Sequence, residues 1–274
     1  MSNTVTQMWL HTQEGPVTIF RTACGFIALC IIAAVAAVPV APGAARAAEV
    51  TIFSDSPLQL ALTNIAQDFQ RASGHTVRFV FGLSPVIHKK VVNGEATDVV
   101  IIQPNFIDEL VKAQRLAPGD HPIIARVGIG LFMREDATAP DISTVSAFKQ
   151  ALLSADALVF SNVAAGNYFA TVLERLSISE AVKGKVTRAN PSDVVSRVVQ
   201  GKGNDVGVLN VAMILMDKRL KLVGPLPGEY QSYLLYAAAI ANNASSPDAG
   251  RDFVRFLSSP AAHAALTAAG VNLP

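Results

Sequence analysis

Two strand-turn-helix units in immediate succession constrain this chain more than anything else in it. The run VTIFSDSPLQLALTNIAQDF is followed closely by HTVRFVFGLSPVIHKKV. Val50 to Phe53 is a β-branched and aromatic stretch that reads as a strand, and Ser56-Pro57 offers an N-cap hydroxyl and a proline suited to the first helical position. Leu58, Leu62, Ile65 and Phe69 then recur at helical spacing, so one face is buried and the other carries Gln59, Asn64 and Gln67, until Gly74 ends the helix. Val77 to Phe81 is the next strand, and Gly82-Leu83-Ser84-Pro85 repeats the device. Two helix N-termini are therefore expected side by side at the carboxyl edge of one sheet. Each carries unpaired N–H groups and roughly half a positive charge, so a cleft between them favours an anion. A serine in such a place more often only caps its own helix; the pair at equivalent positions points to a site.

Much of the apolar content precedes these units. After Arg21, Ala23 to Val38 is apolar for about 16 residues, short for a membrane span, and Ala45-Arg46-Ala47 is an A-x-A cleavage pattern. Residues 1–47 read as a cleaved signal peptide, which directs the mature chain to the periplasm. Cys24 and Cys30 fall inside it, so disulfides, thiolate metal sites and a cysteine nucleophile are excluded together from the mature protein. The leader also takes two of the 22 bases and one of the 21 acids, leaving 20 against 20. Such a balance excludes nucleic-acid binding by bulk charge, and anion selectivity has to be local.

Downstream, Asp98 to Ile102 is a buried strand ending at Gln103-Pro104, and Phe106 to Gln114 is a short amphipathic helix. Ile123 to Met133 is apolar for about eleven residues, long for one strand, and reads as a crossing from a first lobe into a second. In the second lobe, helices are expected over Val145 to Ser154, Tyr168 to Leu176 and Val194 to Gln200, the last capped by Pro191-Ser192-Asp193, and strands over Leu158 to Ser161 and Asp205 to Leu209. Tyr233 to Ala241 is the return crossing, and two helices, Pro247 to Leu257 and Ala261 to Ala269, close the chain. The expected architecture is α/β with two doubly wound sheets joined by a two-segment hinge: residues 48–127 with 235–274 form lobe 1, and 128–234 form lobe 2.

The order of these elements, with G-L-S, NGEATDVVII, FIDELVKAQRL, NVAAGNYFATVLERL, QGKGNDVGVL and FLSSPAAHAAL, resembles the periplasmic molybdate-binding proteins. These are type 2 solute-binding proteins of ABC transporters, and the likeness covers the whole mature chain. It implies a monomeric binder that holds a small anion without a counter-charge, needs no cofactor or metal, and presents the anion to a membrane permease. Carried over by position, the G-x-S serine is Ser84 and the alanine of the V-P-A-G element is Ala165. The first-loop serine falls on Pro57, with Ser54 and Ser56 just before it; a tyrosine falls on Asn210; a further backbone contact falls near Ser192.

Either Asp55 points away from the ligand, or the ligand is not a bare tetrahedral dianion. A carboxylate beside one costs on the order of a kilocalorie or more unless it is paired or protonated. The sequence also resembles a divergent branch that includes periplasmic aconitate isomerase, which moves a proton on a small tricarboxylate without a metal. On that alternative Asp55 or His88 is the base, and Lys89, Arg126 and Arg134 are partners for carboxylates. His88, beside Lys89 and Lys90, is more simply a surface helix residue. A third reading, a sensor or scavenger for a metabolite, uses the same cleft. The chain has no P-loop, no H-E-x-x-H and no G-x-S-x-G.

Overall fold

In the computed structural model, which describes residues 47–274, the chain enters its first sheet at once. Strand β1 (Glu49–Asp55) leads through a short 3-10 turn, Ser56–Leu58, into helix α1 (Gln59–Ser73), and β2 (Thr76–Gly82) runs into α2 (Ser84–Val92). On its other side β1 pairs, again in parallel, with β3 (Val99–Ile102), which is followed by α3 (Pro104–Lys112). The leader, its cleavage pattern, Cys24 and Cys30 lie outside the described residues. Among the described residues no helix is long and apolar enough to cross a membrane.

Ala61, Leu62, Ile65 and Phe69 form the buried face of α1, as their spacing predicts. Gly74 closes the helix in the left-handed region, at φ 76°, a conformation that costs a residue without a Cβ almost nothing. The capping expectation for Ser56 and Ser84 is corrected. The cap positions are Asp55 and Leu83, and neither start has a side-chain cap bond. Pro57 and Pro85 occupy the first turns and have no N–H to be capped. The Ser84 hydroxyl is thereby left to bond elsewhere.

The remaining elements follow in order. β4 (Ile123–Arg134) is succeeded by α4 (Val145–Ser154), β5 (Ala157–Ser161), α5 (Ala164–Arg175), α6 (Ser179–Val182) and β6 (Val186–Ala189). Then come α7 (Pro191–Gln200), β7 (Asp205–Asn210), α8 (Val211–Leu215) and β8 (Leu220–Pro225). β9 (Tyr233–Ile240) returns to the first sheet, antiparallel to β3 and β4, and α9 (Pro247–Phe256) and α10 (Pro260–Ala268) end the chain.

Strand β4 explains the long apolar run. Ile123 to Gly128 pair with β9, whereas Ile129 to Arg134 pair with β7 and β8. One strand is thus shared by two sheets. At the residue where it changes partner, the Ile129 N–H donates to Gln231 Oε1 at 3.0 Å, and Gln231 Nε2 donates back to the Ile129 carbonyl at 3.1 Å. A side-chain amide stands there in place of a neighbouring strand. Gln231→Ala removes both bonds at once and is expected to lower stability by about 1–2 kcal/mol in a urea titration. An unchanged midpoint would mean that the ladder bonds alone hold the crossing.

Alternate residues of each strand reach opposite faces. Ile52 packs with Leu62, Phe69, Phe253 and Leu266 beneath α1, α9 and α10, while Phe53 packs with Ile87, Ile107 and Leu110 beneath α2 and α3. The second sheet repeats the arrangement. Phe160 lies with Phe148 and Phe169 of α4 and α5, and Val159 lies with Val194, Val198 and Ile214 of α7 and α8. Both sheets are covered on both faces, so the chain is two doubly wound α/β lobes joined through β4 and the segment that leads into β9.

Candidate functional site

Parallel pairing sets the carboxyl ends of β1, β2 and β3 at one edge of the first sheet and those of β5, β6 and β7 at one edge of the second. At each of these six ends the chain turns directly into a helix or a helical turn. The turns border one cleft of about 340 Å³. Asp55 and Pro57 reach it from the end of β1, Ser84 from α2, and Gln103 and Asn105 from the start of α3. From the other lobe come Ser161 to Ala165 and Asn167 around the start of α5, Pro191 of α7, and Asn210 at the end of β7. Open α/β sheets bind ligands at such edges, where the first N–H groups of each helix lack intrahelical acceptors.

Asp55 dominates the electrostatics. Its side chain is 2% exposed, and Oδ2 accepts the Ser84 N–H at 3.0 Å and also the Ser84 hydroxyl. The same hydroxyl oxygen accepts the Gln103 N–H at 3.2 Å, which ties the first three turns together. Burial pushes the Asp55 pKa up from 3.8 to about 6, against the lowering pull of the Ser84 bonds. The Ser56 N–H and the Gln103 side chain also lower it, though neither closes a hydrogen bond on Oδ1.

Three residues that line the cleft each hold a buried polar atom without a partner among the described residues: Asp55 Oδ1, Asn210 Oδ1 and the Tyr236 hydroxyl. Buried polar groups are nearly always paired. Three orphans around one cleft mark it as built for something polar. Tyr236 is fully buried on β9, and burial, together with the Asp55 charge, holds its phenol well above the usual range, so it stays neutral. No Lys, Arg or His lines the cleft among the described residues. The nearest cationic influence is indirect. Arg188 donates to Asn167 Oδ1, which leaves the Asn167 NH₂ as what that residue offers a ligand.

Of the residues singled out from the sequence, Asp55, Ser84, Ala165 and Asn210 meet at the cleft. Ser54 is fully buried beneath it and donates to the Asp55 carbonyl at 3.4 Å. Ser56 and Ser192 lie just outside the lining, which the neighbouring prolines, Pro57 and Pro191, occupy instead. His88 Nε2 faces Glu109 at 3.2 Å, and its ring lies 5.4 Å from Phe106, in the seam between α2 and α3. Lys89 is absent from the lining. Arg126 stacks over Tyr233 at 4.9 Å, and Arg134 donates to the Gly201 and Gly203 carbonyls, so neither reaches the cleft.

Gln103, Asn105, Ser161 and Tyr236 were not anticipated. For Gln103 a signal existed: like Ser84 and Asn190, it is a polar residue set before a proline at the end of a strand. Tyr236 sits in the run YLLYAAAIA and carries no such mark. The resemblance puts a tyrosine at the place of Asn210; here a different tyrosine enters from β9.

Residues 50–272 match the family described as bacterial extracellular solute-binding protein. An aconitate isomerase from Pseudomonas sp. is 25% identical over 230 residues, 81% of this chain and 87% of that protein. Among solved structures, the substrate-binding domain assigned to a molybdenum ABC transporter of Clostridium difficile superposes with a TM-score of 0.69 at 16% identity, covering 83% of this chain and 100% of that one. The periplasmic molybdate-binding protein of Azotobacter vinelandii gives 0.67 at 20% identity, covering 82% and 99%. At these identities the superpositions speak for the fold.

Proposed function

The chain belongs to the bacterial extracellular solute-binding protein family, and from that premise we propose that it captures one small anion between its lobes and delivers it to the permease of an ABC transporter. One observation carries the reading. Four helices of nine or more residues, α2, α3, α5 and α7, begin at a cleft that no Lys, Arg or His lines among the described residues. Neutral donors and helix ends can hold an anion tightly and still release it, because no ion pair has to be broken. The proposal takes the protein as a periplasmic monomer, freed of residues 1–47, whose lobes, 48–127 with 235–274 and 128–234, close on the ligand about β4. Ala165 and Asn210 are its contacts, with Gln103, Ser161 and Tyr236 added to them, and Ser84, whose donors Asp55 takes, holds the turn beside them.

A thermal-shift panel of molybdate, tungstate, sulfate and small di- and tricarboxylates tests the reading. A ligand at 100 times its Kd raises stability by about 2.7 kcal/mol. A panel in which no anion moves the midpoint would remove the reading.

A second reading, proton transfer on a small tricarboxylate, is favoured by Asp55 itself. It lies at the cleft with a pKa of about 6, which suits a general base near neutrality, and the aconitate isomerase relative matches most of the chain. His88 drops out as the base because it faces Glu109. Incubation with trans-aconitate, followed by proton NMR, decides: the cis isomer accumulates in the wild type and not in Asp55→Asn, or the enzymatic reading fails.

A further inference from the structure

At the start of α2 the place an anionic ligand oxygen would take is already filled from within. Asp55 Oδ2 accepts both the N–H and the hydroxyl of Ser84, the donors that a bound oxyanion would need from that turn. The second oxygen, Oδ1, is buried without a partner, in a residue that lines the cleft. An ionised Asp55 therefore presents the ligand with an acceptor and a negative charge at that point, while the starts of α3, α5 and α7 still favour an anion elsewhere in the same cleft.

We propose that Asp55 makes this cleft selective for a small organic acid that carries its own hydrogen-bond donor, a hydroxyl or a retained carboxyl proton, over a fully deprotonated tetrahedral oxyanion. The inference rests on the anion-capture reading and narrows its ligand class. A molybdate- or sulfate-type dianion has only acceptors to offer, so it would leave Oδ1 unpaired and set like charges side by side. A hydroxy acid turns its carboxylates toward the helix ends and its hydroxyl toward Oδ1. Tyr236 and Asn210, the other two unpartnered groups, then supply a donor and a reorientable amide.

The only titratable side chains lining the cleft, among the described residues, are Asp55 and Tyr236. Tyr236 stays neutral across the working range, and Arg188 acts only through Asn167. A change of sulfate binding between pH 5 and pH 8, where sulfate itself does not titrate, thus reports on Asp55. Calorimetric titrations of the wild-type chain and Asp55→Asn would use two matched pairs, malate with succinate and citrate with tricarballylate, together with sulfate, which stays a dianion at both pH values.

At pH 8 the hydroxylated member of at least one pair is expected to bind wild type about tenfold or more tightly than its partner, and the preference should shrink in Asp55→Asn. Sulfate binding should be absent or weak at pH 8 and strengthen at pH 5 in the wild type alone, an arm that needs no variant. Sulfate bound as tightly as any carboxylate at pH 8, or a hydroxyl preference that survives Asp55→Asn, overturns the inference. Carboxylates bound without regard to the hydroxyl overturn it while leaving anion capture standing. Binding of no anion at either pH removes both.

Discussion

Without ligand at pH 8, Asp55→Asn unfolds with a free energy about 3 kcal/mol above that of the wild type, and at pH 4 the advantage is gone. The sign follows from the direction of the shift. The folded-state pKa of Asp55 is raised from 3.8 to about 6 by burial, so between those values the folded protein holds more protons than the unfolded chain, and wild-type stability falls as pH rises through the window. Above about pH 6 the loss is complete. Two pKa units and a little more, at about 1.4 kcal/mol each, give the 3 kcal/mol. Asparagine keeps an oxygen to accept the Ser84 N–H and hydroxyl and carries no charge to desolvate. Urea titrations of both proteins at intervals from pH 4 to pH 8 check it. Equal stabilities at pH 8, or a wild type that gains on Asp55→Asn between pH 4 and pH 6, would show that the Asp55 carboxylate is not buried as described. A group that costs this much in the empty protein is the kind a binding site retains for its ligand.

How far the sequence carried the argument varied with the physics involved. Helical spacing named Leu62, Ile65 and Phe69 of the buried face of α1, which also includes the unnamed Ala61, because large apolar side chains have nowhere else to go. Thr144 caps α4 through the Ala147 N–H at 3.1 Å, as its residue type predicts, and Ser259 caps α10 through the Ala262 N–H at 3.2 Å even with Pro260 after it. Ser56 and Ser84 do not cap, since each is the first residue of its helical turn and not the residue before it. The length of Ile123 to Met133 signalled a crossing, but a single strand serving two sheets depends on pairings between residues far apart in the chain, to which a local pattern is blind.

The site divides along the same line. Ser84, which lines the cleft, was marked by turn chemistry and by family position, and Ala165 by family position alone. Ser192 was displaced from the lining by its own neighbour, Pro191, a one-residue difference in how a helix starts. Tyr236 was hidden because its surroundings are apolar: a tyrosine in YLLYAAAIA reads as core until the strand is seen passing beneath the cleft. Asp55 was suspected on charge alone. What the sequence could not supply is that its two oxygens differ, one bonded to Ser84 and one buried without a partner.

Gly166→Ala is expected to cost about 3 kcal/mol or more and to abolish ligand binding, where Gly184→Ala changes neither. A Cβ at position 166 would overlap the Ser161 carbonyl oxygen and lie 2.6 Å from its carbon and 2.7 Å from the Ser161 nitrogen. All three are backbone atoms of β5, held in a strand that pairs on both sides, so relief requires α5 to move away from the sheet. That movement breaks the 3.2 Å bond from the Gly166 N–H to Ser161 Oγ and withdraws Ala165 and Asn167, which line the cleft on either side of the glycine. At Gly184 a Cβ meets nothing within 4 Å, and a substitution at such a place stays within about 0.5 kcal/mol. Denaturation midpoints and anion titrations on the two variants separate the effects. If Gly166→Ala were as stable as Gly184→Ala, α5 would not be seated on the end of β5; if it were destabilised yet bound anions normally, the start of α5 would not be part of the site, and α7 alone would represent the second lobe in the convergence of helix ends.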